Sequence, residues 1–167
     1  AVVGFSPDGT KIAYATPPEL EGQSLRTVLV VPASGGAPVA KFSLPADSGY
    51  YRWTHDGAAL AFLSGGNVSN LFRQPLSGGA AQQLTRFTEG QIWSQEWMSG
   101  GTFVLLNRRL GEVSNLWGVA AGGPDPVALT DFVTGSIFDV RSTPDGKSVV
   151  FTYGIESQDA VLVKNFR

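Results

Sequence analysis

The sequence predicts an all-β chain organised as a β-propeller of four blades. Three observations carry this: a turn motif that recurs four times, an alternating strand after each turn, and a glycine-rich hairpin later in every unit. Phe5-Ser6-Pro7-Asp8-Gly9 is echoed by Trp53-Thr54-His55-Asp56-Gly57, then Trp97-Met98-Ser99-Gly100-Gly101, then Ser142-Thr143-Pro144-Asp145-Gly146. Self-similarity at roughly 40–50 residues, with four short strands per unit, is the signature of propeller blades.

Each element follows from residue chemistry. Pro suits the first central position of a tight turn, Asp the next, and Gly the position of positive φ. Apolar residues two apart then mark a strand with one buried face. They are Ile12 and Tyr14, Leu60 and Phe62, Val104 and Leu106, and Val149 and Phe151. A second block begins a third strand: "VSNLFRQPLSGGA" at 68–80 matches "VSNLWGVAAGGPD" at 113–125, and "RTVLVVPASGGAP" at 26–38 is the first copy. Its Gly-Gly pair favours a hairpin, and short return strands are expected at 38–43, 82–85 and 126–130. The fourth copy, "DAVLVKNFR" at 159–167, stops at the third strand, so the last blade is expected to lack its outer strand. Blade limits fall at about 1–45, 46–88, 89–133 and 134–167.

Composition narrows the function. The 167 residues carry a net charge of −2, which gives no footprint for nucleic acid. No run of about 18 apolar residues is present, so no membrane-inserted helix is expected. There is no cysteine and a single histidine, His55. No nucleophile–base pair and no dense run of oxygen ligands is found, so no catalytic residue, metal or cofactor is expected. The aspartates Asp8, Asp56 and Asp145 are read as turn residues, although an aspartate in a repeated turn could also ligate a metal. The anchors Phe5, Trp53 and Trp97, with Phe72 and Trp117, are read as wedges between blades. Trp93, Tyr50 and Tyr51 lie off that register and are candidates for exposed binding aromatics.

The strand before each turn is expected to line the central channel. Gly4, Arg52, Glu96 and Arg141 precede the anchors, and period two places Tyr50 with Arg52, Ser94 with Glu96 and Asp139 with Arg141. An Arg–Glu–Arg arc has two readings, a salt-bridge chain between blades or a polar mouth for a carboxylate-bearing peptide or small ligand. The candidate binding set is therefore Arg52, Glu96, Arg141, Tyr50, Asp139 and Trp93.

The paired signature of "FSPDGTKIAYAT" and "VLVVPASGGAPVAKFS" resembles the TolB-like (WD-like) propeller repeat over nearly the whole chain. Gly100 departs from it where an aspartate belongs, and Ser142 where an aromatic belongs. The closing "VLVKNFR" resembles propeller regions of bacterial kinases and transcription regulators. The resemblance implies a non-enzymatic binding or scaffolding platform, either a fragment of a larger propeller or a half-propeller completed by self-association, with a periplasmic or other extracytoplasmic location. The partner would be a protein or peptide, or a second copy completing an eight-bladed homodimer. A ligand-sensing region of a bacterial kinase or regulator, and a gating propeller of a prolyl-oligopeptidase-type hydrolase, are the alternatives.

Overall fold

A computed structural model describes residues 3–16, 24–98, 100–120 and 125–156. Fourteen strands are formed among them. The first sheet holds β1 (Val3–Phe5), β2 (Lys11–Ala15), β3 (Leu25–Pro32) and β4 (Ala40–Pro45). The second holds β5 (Gly49–Trp53), β6 (Ala59–Ser64), β7 (Asn70–Pro75) and β8 (Gln82–Gln83). The third holds β9 (Gln91–Trp97), β10 (Phe103–Leu110), β11 (Val113–Ala120) and β12 (Val127–Ala128). The fourth pairs β13 (Ser136–Ser142) with β14 (Val149–Gly154). Every sheet is an antiparallel meander in chain order, which is the blade topology the repeat predicts. The expected third strand of the last blade lies outside the described residues. The return strands sit close to their expected places, although β4 begins two residues later than Pro38 and β8 and β12 are only two residues long.

The blades stack face to face. Three apolar clusters fill the three gaps. The first joins Ala13, Val28, Val30 and Phe42 to Tyr51, Leu60 and Phe62. The second joins Ala61, Leu63 and Leu71 to Ile92, Val104 and Leu106. The third joins Leu105 and Leu116 to Ile137 and Val140. A strand in a middle blade is thus covered on both sides. All six residues of β6 are buried, and so are Val104 to Arg108 of β10. In the end blades the second strand is covered on one side only, and burial alternates along β2 and β14.

The stack leaves one anchor unpacked. Ile12, Leu60 and Val104 pair with Phe5, Trp53 and Trp97 respectively, so these residues hold equivalent places. Leu60 and Val104 are buried against the preceding blade. Phe5 is 63 % exposed and wedges against no blade among the described residues. The expectation that it packs as Trp53 does is corrected here. The physical reason is its place on the open face of the first blade.

Candidate functional site

The repeated turn is structural, as expected. In the first copy the Ser6 hydroxyl donates to Asp8 Oδ1 at 2.6 Å and accepts from the Lys11 amide at 2.9 Å. Thr54 and Thr143 repeat this with Asp56 and Asp145 at 2.6 and 2.5 Å. Each carboxylate also accepts a main-chain N–H two residues on, from Thr10, Ala58 or Lys147 at 3.0–3.1 Å. These hydrogen bonds favour the ionised form. They hold Asp8, Asp56 and Asp145 below the usual carboxylate range, with the bond from the neighbouring hydroxyl as the largest cause. Among the described residues no cluster of His, Asp and Glu is arranged to hold a metal.

The third turn is built differently. Gly100 has φ 88, followed by Gly101 at φ 67. Positive φ at the second central position belongs to a type II turn, where Gly is strongly preferred. Glycine at this position is therefore matched to the backbone.

The inner strands carry a device that period two does not reveal. Each of β5, β9 and β13 is interrupted by a bulge, between Gly49 and Arg52, at Asn107/Arg108 opposite Trp93, and between Ile137 and Asp139. A bulge puts two residues opposite one and re-aims the chain. Each bulge turns one aromatic outward: Tyr50, Trp93 and Phe138 are 58 %, 45 % and 54 % exposed. Tyr50 is held at φ 52, the one non-glycine with positive φ among the described residues. Its carbonyl accepts a 2.6 Å bond from Gln95 Nε2 of the next blade. For an aromatic residue that backbone is strained, and such strain collects at functional positions. The Arg109 guanidinium stacks 4.5 Å from the Trp93 ring centre. Between Tyr50 and Trp93 lies a groove of ≈ 330 Å³, floored by Leu63 and Ile92 and edged by Asp47.

Of the sequence candidates, Tyr50 and Trp93 thus share one groove. Tyr51 does not join them. It is 7 % exposed, with its hydroxyl 2.6 Å from Ser48 Oγ, because the bulge returns it to the core side. Phe138 was missed. Its signal is its offset from Ser142, the same as that of Trp93 from Trp97.

The charged arc is present without a salt-bridge chain. Arg141 Nη1 pairs with Asp139 Oδ1 at 2.6 Å within its own strand. Arg52 Nη1 donates to the Tyr51 carbonyl at 3.1 Å. Glu96 Oε1 accepts from the Ser142 amide and hydroxyl at 3.4 and 3.2 Å, tying the third blade to the fourth. No ion pair joins Glu96 to either arginine among the described residues, where the separate partners of the three side chains take its place.

The "VSNL" repeat has a role that sequence reasoning did not assign. Ser69 and Ser114 each accept, at 2.5 Å, the amide of Ile92 or Ile137 on the next blade's inner strand. Asn70 and Asn115 each accept from a threonine hydroxyl, Thr85 or Thr130, and from the amide of Phe87 or Phe132. One dipeptide therefore fixes the following blade and the return segment of its own blade.

No known family profile and no curated protein matches this chain. Solved structures do. A putative TolB from Agrobacterium tumefaciens matches at 25 % identity and a TM-score of 0.70, over 92 % of this chain and 53 % of that one. TolB from Acinetobacter baumannii matches at 16 % identity and 0.71, over 95 % and 39 %. A prolyl endopeptidase matches at 15 % identity and 0.67, over 87 % and 24 %. The chain spans about half the length of the first of these and less of the others. With the blade order, the gap-filling cores and the turn motif, these likenesses make the chain a distant structural relative of TolB-type proteins, sharing their propeller fold.

Proposed function

We propose that the chain is a non-enzymatic binding and scaffolding propeller segment, completed by a second copy of itself into eight blades. The observation that carries this reading is the open face of the first blade. Phe5, Ile12 and Tyr14 stand where later blades bury Trp53, Leu60 and Phe62 against a neighbour. The fourth blade presents the opposite kind of face, with Val150 65 % exposed where earlier blades use Ala13, Ala61 and Leu105 to cover the next one. One chain therefore carries both halves of a blade–blade contact, and a two-fold pair satisfies both at once. Apolar faces of this kind are covered in most soluble proteins.

In that assembly the inner strands line a common channel. Tyr50, Trp93 and Phe138, with Arg52, Glu96, Asp139 and Arg141, offer aromatic platforms beside charges of both signs, a surface suited to a peptide segment of a protein partner. The likeness to TolB, a periplasmic family, supports an extracytoplasmic setting.

Mass photometry or light scattering tests the reading. The expected mass is twice 17.6 kDa, and Phe5→Asp should return it to the single-chain value with unchanged far-UV circular dichroism. A parent protein that stays at 17.6 kDa would overturn the second copy. Replacing Arg52 and Arg141 by Ala tests the channel: a bound peptide that keeps its affinity removes them from the site.

A further inference from the structure

The three gaps between blades share a register but differ in what fills them. Ala13, Ala61 and Leu105 hold one equivalent position, and their partners on the third strand are Val30, Arg73 and Gly118. In the first gap Val30 is fully buried. In the third, the Phe103 ring occupies the space a side chain at Gly118 would need. Only the second gap has a charged group at this level. The fourth-strand partners follow suit: Ala40 and Val127 correspond to Gln82.

Two further departures from the repeat converge on the same place. His55 stands where the first and fourth turns have Pro7 and Pro144. In the first gap Pro7 approaches Gly57, and in the second His55 approaches Gly101 in the same manner. Gly100 stands where the other turns have aspartate, so the third-blade side of this gap lacks a carboxylate. Together Arg73, His55, Gln82, Trp97 and Gly100 line a groove of ≈ 330 Å³. The Trp97 Nε1–H is buried there without an acceptor, whereas the equivalent Trp53 donates to the Gly4 carbonyl at 3.1 Å. Among the described residues the Arg73 side chain has one hydrogen bond, a long one of 3.5 Å to Gln82 Oε1.

We propose that the groove between the second and third blades binds a carboxylate group, taken by the free edge of the Arg73 guanidinium with His55 beside it. A planar fork of donors matches a planar carboxylate in two parallel bonds. The charge present limits the ligand further. Asp56 also lines the groove, and its Oδ1 is taken by Thr54 and the Ala58 amide. One arginine facing one retained aspartate suits the single charge of one planar carboxylate end better than a compact phosphate that carries two charges on one group.

Succinate is the probe, read by the indole N–H signals in proton–nitrogen correlation spectra, with Trp97 assigned through Trp97→Phe. The expected result is a saturable shift of the Trp97 signal. Arg73→Val installs the residue of the first gap and should weaken binding at least about tenfold, the loss of charge-assisted hydrogen bonds. His55→Pro installs the repeat's own residue and should weaken it less. Arg52→Ala should bind as the parent does, which separates this groove from the channel. Circular dichroism and thermal melts confirm that each variant folds. Absence of a saturable shift, parental affinity in Arg73→Val, or phosphate binding as tightly as succinate would overturn the proposal. A short acidic peptide distinguishes the source: tighter binding than succinate assigns the carboxylate to a protein partner, and weaker binding to a free small molecule.

Discussion

The first and second gaps between blades have one backbone plan and opposite chemistry. In the first, Trp53 closes the gap with its ring packed and its N–H bonded to Gly4, while Val30 fills the far side. In the second, Trp97 occupies the same place with its N–H unpartnered, and Arg73 replaces the valine. The difference teaches that the register of the strands, and not the identity of the filling, holds the blades in line. Each gap can therefore be filled differently without altering the stack.

The comparison can be broken most severely in the shared core. Phe62 is 1 % exposed and stacks on Phe72 at 5.4 Å. Phe62→Ala should cost about 3–5 kcal/mol by lost burial and a cavity, read by denaturant unfolding. A cost below about 1 kcal/mol would mean that the first gap is not a packed core. Next come Ser69→Ala and Ser114→Ala, each stranding the buried amide of Ile92 or Ile137. A loss of about 1–3 kcal/mol is expected for each. Equal losses would confirm that the second and third gaps are latched alike.

The tryptophans sharpen the comparison. Trp53→Phe removes a hydrogen bond and should cost about 0.5–1.5 kcal/mol beyond the change in ring size. Trp97→Phe removes a donor that has no acceptor and should cost less. A larger loss for Trp97→Phe would show that its indole N–H is satisfied in solution.

The smallest effect is on acid stability. The folded state holds Asp8, Asp56 and Asp145 below the usual carboxylate range, so it binds protons less readily than the unfolded chain. Their contribution is present above the unfolded carboxylate pKa and is lost as pH falls through the lower folded value. Thermal melts should show this loss below about pH 4. Asp56→Asn should flatten the profile slightly, whereas Gly100, which has no carboxylate, makes its turn insensitive.

The repeat itself was legible because turn chemistry and two-residue alternation are local. Ser6-Pro7-Asp8-Gly9 and its echoes counted the blades, and the doubly buried β6 reads in sequence as the nearly unbroken apolar run "ALAFL". The bulges were not legible, since one extra residue leaves composition unchanged and reverses the side-chain direction only locally. The repeat register therefore groups Tyr51 with Tyr50 and does not single out Phe138. Arg52, Glu96 and Arg141 read in sequence as one recurring position and pair with Ala61, Leu105 and Val150, but their side-chain partners depend on rotamers and neighbouring strands. His55 and Gly100 were visible as departures from the repeat. That they meet beside Arg73 depends on how consecutive blades stack.

The Ser-Asn dipeptide has a mechanical consequence. By register, Ser69-Asn70 corresponds to Arg26-Thr27 in the first blade, since Leu71 and Val28 hold equivalent pairings with Leu63 and Ala15. Arg26 Nε is buried without a partner there, and among the described residues no serine latch reaches into the first gap. In stacked repeats, stability is a sum of unit and nearest-neighbour terms. The second and third gaps tie closure of a blade to docking of the next, so those blades should open together. The first blade lacks that tie and should be the first to let go, with its amides exchanging with solvent ahead of the rest.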